Sequence, residues 1–354
     1  MNHLMNLGTG LLLSFSTSLF AVENPLCGPR VATVEKASKR AIPLAQVFRT
    51  AIGPETKLVV FGEDHDQYQA KRGLMEMYRM IKKEHPRLNC VFIELGEEHQ
   101  PLLEQFLKKE RSKKDFILAM VKSNWNGRPF TQEYLEIFSD RMDAWMDLAT
   151  LAHADGSSVL YDDVTAEQNR QYYYQGIEST GPRNHFMAEL IERNFDSGKC
   201  DLAMKIVGHQ HILSPTPTAA RTEADKLQEI LKSRSIPTVA MHFTNTSYEA
   251  LSPFFYLDFD YVSYMMYYYE IEVDPADPAH ADPLKKFNDY ETDCLSKAVP
   301  FLPKVHVAVP ASPEILPAYG PSGIMNGQTY GRAARMDQVD YWVWLAGTHE
   351  RKNQ

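Results

Sequence analysis

Leu58-Val59-Val60-Phe61-Gly62-Glu63-Asp64-His65-Asp66 is the stretch that decides the fold. Its four leading apolar residues are too few for a helix and are typical of a short, fully buried strand. Gly62 then allows the backbone to turn sharply into a loop with three carboxylates and an imidazole. A buried strand that ends in a polar turn and leads into a longer helical pattern predicts one βα unit of a parallel sheet.

The same alternation continues along the chain, and it predicts an α/β fold with a mostly parallel β-sheet flanked by helices on both faces. The predicted strands are short and mostly apolar: 57–62, 89–95, 157–161, 202–208, 237–242, 305–309 and 339–345. The predicted helices fill the intervals: 67–84, 98–109, 114–122, 131–154, 183–196 and 222–232.

The two ends of the chain depart from this alternation. Residues 1–21 carry no Lys, Arg, Asp or Glu and end in a small apolar run, which predicts a signal peptide and export to the periplasm or medium. A buried N-terminal helix or a retained anchor are the alternatives, although the run is short for a stable membrane span. Residues 22–354 are predicted to form a single domain with a loop-rich, Pro-rich insertion at 274–335.

The net charge and its distribution restrict the kinds of partner that are expected. The 354-residue chain has a formal net charge of -9, and its basic residues are scattered or lie beside acids, as at Lys82-Lys83-Glu84. Nucleic acid is therefore not expected as a partner, because its phosphates require a continuous basic surface. A small-molecule or peptide substrate is the remaining expectation.

The four cysteines form no C-x-x-C pair, which disfavours a zinc ribbon or a thioredoxin-type dithiol. Cys90 lies inside an apolar strand and is expected to be a core residue. Cys27 and Cys294 lie in loop-like sequence, where an exported protein could join them in a disulfide.

Polar residues follow three of the predicted strands, at the edge of a parallel sheet where ligands bind. Glu63 and His65 follow the first strand, with Asp64 or Asp66 expected to cap the next helix instead. Glu94 ends the second strand and should lie beside that loop if the two strands are neighbours. Glu97 and Glu98 are typical of a first helical turn, and His99 is expected at the surface.

The third cluster is Gly208-His209-Gln210-His211, after the strand 202–208. Imidazole is a common ligand of catalytic metals, and His65 and Glu94 are expected at equivalent strand ends. The three clusters together predict one site built from several strands. Asp162 and Asp163, at a further strand end, are expected to supplement it or to cap a loop.

The order of these motifs resembles the erythromycin esterase, ChaN and Tiki/TraB superfamily. The resemblance comprises Gly-x-x-His at 62–65, a strand-end Glu94, Arg183-Asn184 with Met187, a second Gly-x-x-His at 208–211, and a terminal strand within 339–348. The spacing at 62–65 is most similar to the ChaN-like branch of haem-uptake proteins.

The resemblance implies roles for individual residues. His65 corresponds to the motif histidine, as general base or metal ligand, with Glu63 as its acidic neighbour. Glu94 and His211 correspond to the other catalytic positions, and with His65 they would hold a divalent metal such as Mn, Co or Zn. Arg183 would orient either a substrate anion or a carboxylate of the site. His209 has no clear counterpart.

Three functions follow as hypotheses. The first is a hydrolase of ester or peptide bonds in which His65 activates water, with or without a metal. The second is a haem-binding uptake protein that uses the same cleft or the tyrosines at 172–174 or 261–269. For these aromatic runs, core packing or a subunit interface is the alternative. The third is a non-catalytic binding domain that retains the fold.

Overall fold

A computed structural model describes residues 32, 35–63, 68–124, 132–175, 179–208, 211–212, 226–244, 297, 299–301, 305–311, 324–325, 328–329 and 339–344. Several predicted features lie outside these residues. They are the signal peptide, Asp64, His65, Asp66, His209, Cys27, Cys294, the 261–269 aromatic run and most of the 274–335 insertion.

The described elements alternate along the chain as an α/β protein requires. The strands are β1 (Ile42–Pro43), β2 (Leu58–Glu63), β3 (Leu88–Gly96), β4 (Ser158–Asp163), β5 (Leu202–Gly208), β6 (Thr238–Thr244), β7 (Val307–Pro310), β8 (Ile324–Met325), β9 (Gln328–Thr329) and β10 (Tyr341–Trp344). The helices are α1 (Leu44–Ala51), α2 (Tyr68–Glu84), α3 (Gln100–Leu107), α4 (Lys113–Asn124), α5 (Gln132–Ala154), α6 (Ala166–Tyr174), α7 (Thr180–Asp196) and α8 (Leu227–Ser233).

One large sheet holds eight of these strands in the order β1-β7-β10-β6-β2-β5-β3-β4. From β10 to β4 every described pairing is parallel, whereas β7 runs antiparallel to both β10 and β1. The predicted α/β class with a mostly parallel sheet is therefore confirmed, with an antiparallel strand near one edge.

The strand order corrects one expectation. β2 and β3 are not neighbours, because β5 lies between them and pairs with both. All seven residues of β5 are buried, as a strand covered on both faces and paired on both edges requires. The carboxyl end of β2 and Glu94 on β3 are therefore one strand spacing further apart than direct pairing of β2 with β3 would place them.

Helices cover both faces of the sheet, and each face has its own hydrophobic core. Alternate residues of a strand point to opposite faces, so Val60 and Phe92 lie under α7 and α8. Val59 and Phe61 lie under α1, α2, α4 and α5. The face under α7 is the one that carries the candidate site.

Local sequence explains the covering helices. In α5, Met142, Trp145, Leu148 and Ala149 are buried at intervals of three, three and one, so one stripe of the helix contacts the sheet. The helix predicted at 131–154 is confirmed at Gln132–Ala154. Helices α1 and α6 were not predicted. Each spans only two or so turns, which is shorter than the windows over which helical periodicity is recognised.

A disulfide joins Cys90 on β3 to Cys200, just before β5. Cys90 is buried, as expected of a core residue, but its covalent partner was not predicted from the sequence. The bond links the amino-terminal ends of two neighbouring strands. The candidate site lies at the opposite, carboxyl-terminal ends of the strands. The pairing of Cys27 with Cys294 stays a prediction.

In the part of the chain that the structure describes, no helix is both long enough and apolar enough to cross a bilayer.

Candidate functional site

Five polar side chains meet at the carboxyl end of the parallel strands, beneath the amino-terminal part of α7. They come from four separate elements: Glu94 from β3, Asp163 from the end of β4, Arg183 and Asn184 from α7, and His211 from the turn after β5. We call this set the Glu94 cluster. Of the residues predicted for the site, the structure brings together Glu94, Arg183 and His211.

Glu94 lies at the centre of the cluster and is only 6% exposed. Its Oε1 lies 3.0 Å from His211 Nε2 and accepts a hydrogen bond from Arg183 Nη2. Its Oε2 accepts the backbone N–H of Gly208 at 2.5 Å. Register in β3 shifts between Ile93 and Gly96, a local irregularity of the kind that re-aims a side chain at a strand end. The carboxylate is thus held by donors from three elements.

Arg183 joins two carboxylates. Its Nε donates to Asp163 Oδ1 at 3.0 Å and its Nη2 to Asp163 Oδ2 at 2.5 Å, a bidentate pair, while Nη2 also reaches Glu94. Burial opposes the charge, but attraction to Glu94 and Asp163 outweighs it and raises the pKa of Arg183. The guanidinium is a permanent cation. Of the two roles expected for Arg183, the structure shows contacts with carboxylates of the site.

Asn184 holds His211 on the other side of the cluster. Its Oδ1 lies 2.5 Å from His211 Nδ1, and its Nδ2 donates to the His211 carbonyl oxygen at 3.2 Å. Both side chains are buried. Burial lowers the pKa of His211, which Glu94 partly opposes and Arg183 reinforces.

A second ion pair lies next to the Glu94 cluster. Lys205, in the middle of β5, donates to Asp162 Oδ1 at 2.5 Å, and both side chains are wholly buried. Burial raises the pKa of Asp162 to about 7, against the attraction of Lys205 and with repulsion from Asp163 and Glu94. Sequence reasoning missed Lys205, although a charged residue inside an otherwise apolar strand signals a buried partner.

Glu63 ends β2 at the same sheet edge and is buried. By strand alternation it follows Val59 and Phe61 onto the face under α2 and α5. The Glu94 cluster occupies the opposite face, under α7. Strand alternation favours the other face of the sheet for Glu63, its role in the site stays a prediction, and His65 lies outside the described residues.

His99 is 2% exposed, so the expectation of a surface position is wrong. The short turn at Glu97–His99 packs against β4, which turns the ring inward. Glu98 reaches from the same turn to the start of α6, where its Oε1 accepts the N–H of Ala166 at 2.8 Å. Gly96 permits this path, because a Cβ there would lie 2.1 Å from the Glu98 carboxylate.

His242 is a further polar residue that sequence reasoning missed, although it ends a predicted strand. It lies near the end of β6, buried, with its ring centroid 4.3 Å from that of Trp342 on β10. Ala240 and Trp342 belong to the core under α7, so His242 shares the sheet face of the Glu94 cluster. Gly62 lies between His242 and Val207 in the register of the sheet.

The donor set at Glu94 does not fit a divalent cation. His211 Nε2, the nitrogen that would ligate a metal, faces Glu94, and the Arg183 cation contacts the same carboxylate oxygen. Among the described residues no group of three or more His, Cys, Asp or Glu is arranged to hold a metal ion.

Of the two tyrosine runs expected to supply haem ligands, the structure describes one. Tyr172 and Tyr174 lie on α6, where Tyr174 is 76% exposed, and the run at 261–269 lies outside the described residues. Haem binding stays a prediction.

Comparison with known proteins finds no protein family and no curated protein that matches the sequence. Two solved structures resemble it. The type III effector HopBA1 shares 13% identity over 58% of this chain and 87% of its own, with a TM-score of 0.36. A mutant of the erythromycin esterase EreC in its open conformation shares 11% identity over 85% of this chain and 93% of its own, also with a TM-score of 0.36. Similarity this remote carries no argument about function.

Proposed function

We propose that this protein is an exported hydrolase of ester or peptide bonds, related to the erythromycin esterase, ChaN and Tiki/TraB superfamily. The observation that supports the proposal best is the buried Glu94 carboxylate, held by His211, Arg183 and the Gly208 N–H at the carboxyl end of the sheet. A carboxylate so fixed, at the edge where α/β proteins bind ligands, is suited to polar chemistry on a small-molecule or peptide substrate.

In the proposed reaction His65 takes a proton from water, and the water oxygen bonds to the substrate carbonyl carbon. The bond from that carbon to the leaving group then breaks, and the leaving group receives the proton from His65. In this scheme Glu94 places a fixed carboxylate at the carboxyl end of the sheet, where it would stabilise positive charge that develops during the reaction. Arg183 donates a hydrogen bond to Glu94 and orients it.

The version without a metal is the better supported, because a cation already contacts Glu94. Hydrolysis by the purified mature protein should then be indifferent to chelator and to added Mn²⁺ or Co²⁺. Loss of activity in chelator that returns with either metal would reject the metal-free version.

Export is supported by the Cys90–Cys200 disulfide, since such bonds persist mainly outside the reducing cytosol. Detection of the mature chain in the periplasm or medium, cleaved after residue 21, would test both the destination and the signal peptide.

The test of the hydrolase proposal is a panel of ester, amide and peptide substrates, with Glu94→Gln as the variant. The amide keeps the shape of the side chain but removes its charge, so kcat/KM should fall roughly 100-fold or more.

The matched control is His306→Gln. His306 also contacts a carboxylate, Glu76, at 2.5 Å, but lies beside β7, five strand positions from β3 and so roughly 24 Å away. It should retain full activity. Undiminished hydrolysis by Glu94→Gln, or no turnover of any substrate by the wild type, would reject the proposal. In the second case, a Soret shift on titration with haemin would favour the haem-binding alternative.

A further inference from the structure

The side chain of His211 is engaged at both ends. Nδ1 lies 2.5 Å from Asn184 Oδ1, and Nε2 lies 3.0 Å from Glu94 Oε1. His211 is only 3% exposed, so neither ring nitrogen is presented to solvent. A histidine that acts on a substrate needs one ring nitrogen directed at the reacting group. Both ring nitrogens of His211 are instead directed at protein groups.

The backbone of the same turn is held by two buried amides. Asn184 Nδ2 donates to the carbonyl oxygen of His211 at 3.2 Å, and Gln228 Nε2, from α8, donates to that of Ile212 at 2.6 Å. Side chains from α7 and α8 thus hold the backbone at His211 and Ile212. Asn184 contacts both the ring and the backbone carbonyl of His211.

These contacts determine where the protons lie. Because Asn184 Nδ2 donates to a carbonyl oxygen, its Oδ1 must face the ring, and Nδ1 is therefore the protonated nitrogen. One more proton must lie between Nε2 and Glu94 Oε1, since two lone pairs at 3.0 Å would repel each other. Burial lowers the pKa of His211, but we place this proton on Nε2, because Glu94 already accepts hydrogen bonds from Arg183 and from the Gly208 N–H. His211 therefore bridges Asn184 to Glu94.

The charged groups around His211 come from each element packed against it: Glu94 on β3, Asp163 at the end of β4 and Arg183 on α7. Arg183 bonds to both carboxylates, so the cluster is internally paired.

We propose that His211 is a positioning residue that orients the Glu94 carboxylate, with Asn184 as its own orienting partner, and that it does not contact the substrate. The inference rests on the proposed function in taking Glu94 as the working carboxylate. It assigns His211 a different role from the metal-ligand role that the resemblance implies.

The decisive measurement is ¹⁵N NMR of protein labelled at histidine, because it reads ring protonation without needing a substrate. Over about pH 5.5 to 8.5 the Nδ1 of His211 should keep the shift of a protonated nitrogen. In Asn184→Leu this signature should be lost, whereas Asn184→Asp, which retains an acceptor oxygen, should keep it.

Asn194→Leu is the matched control. Asn194 also lies on α7, but its side chain bonds to the Leu190 carbonyl within the helix, so the His211 signals should not change. A His211 Nδ1 that is unprotonated in the wild type, or that is unaffected by Asn184→Leu, overturns the inference.

Activity supplies a second test if the protein is a hydrolase. His211→Gln can still donate to Glu94 and should lower kcat by about 10-fold with KM little changed, whereas His211→Ala should lower it about 100-fold. Adding Asn184→Leu to His211→Ala should lower kcat little further, because both substitutions break the same bridge from Asn184 through His211 to Glu94. If His211→Gln is as inactive as Glu94→Gln, His211 acts on the substrate and the inference fails. If the wild type has no activity, the proposed function fails while the NMR result still decides the role of His211.

Discussion

The ammonium of Lys205 donates a hydrogen bond to Asp162 Oδ1 at 2.5 Å, and neither side chain has any solvent exposure. The pair spans from β5 to β4 and passes β3, the strand that carries Glu94. The pair lies within the core under α7. Removing two charges from water is costly, and only their mutual attraction offsets that cost.

Replacing one partner of this pair should destabilise the fold strongly. Lys205→Met leaves Asp162 as a buried carboxyl without its cation, and we expect a loss of about 3–5 kcal/mol in the free energy of unfolding. Urea titration followed by circular dichroism would measure it. The double variant Lys205→Met/Asp162→Leu removes both charges and should recover most of the loss. A single variant that costs less than about 1 kcal/mol would contradict the prediction.

The raised pKa of Asp162 predicts a pH dependence of stability. The pKa of this carboxyl is 3.8 in the unfolded chain and about 7 in the folded protein. Between these values the folded state binds more protons than the unfolded state, so this group's contribution to stability falls as pH rises.

Asp162→Asn removes that contribution. The free energy of unfolding of the variant, relative to wild type, should therefore improve by roughly 2–4 kcal/mol between about pH 4.5 and 7.5. His211 is present in both proteins, so its own titration cancels in this comparison. A difference that does not change with pH would show that Asp162 is ionised throughout.

Arg183→Lys tests the bidentate bridge between Asp163 and Glu94. A single ammonium cannot reproduce the Nε and Nη2 contacts, so we expect a loss of about 1.5–3 kcal/mol of stability and roughly 10-fold in kcat/KM. Arg193→Lys is the control on the same helix, where the side chain is 61% exposed, and its effect should stay within about 0.5 kcal/mol. Equal effects of the two variants would contradict a special role for Arg183.

The Cys90–Cys200 disulfide closes a loop with a sequence separation of 110 residues. Such a cross-link restricts the unfolded chain, and the double variant Cys90→Ala/Cys200→Ala should cost about 2–5 kcal/mol. Thermal unfolding of the variant beside the wild type measures this directly, and it is cleaner than adding reductant, which would also reach Cys27 and Cys294. An unchanged Tm would mean that the bond constrains little.

The sequence predicted the strands well because each is a short apolar run that ends in polar residues, as at 58–63 and 202–208. It could not predict that β5 enters between β2 and β3, since strand order depends on which edges remain free after the local connections have formed. The error mattered for the site. Glu94 meets His211, whose turn follows the neighbouring strand β5.

The pairings were likewise beyond the sequence. Cys90 and Cys200, Lys205 and Asp162, and Arg183 and Asp163 are each brought together by elements distant in the chain, and no local pattern encodes which charge or thiol finds which partner. His99 was misplaced for the same reason, because burial of a polar ring depends on the element that packs over it.

The sequence by itself determined the α/β class, because periodicity and turn chemistry act over a few residues, and it identified Glu94, Arg183 and His211 as candidates at strand and helix ends. Only the tertiary structure decided which of these residues meet and what protonation their contacts require. Those properties arise from distances and burial between segments far apart in the chain, where the physical interactions are short-ranged in space but not in sequence.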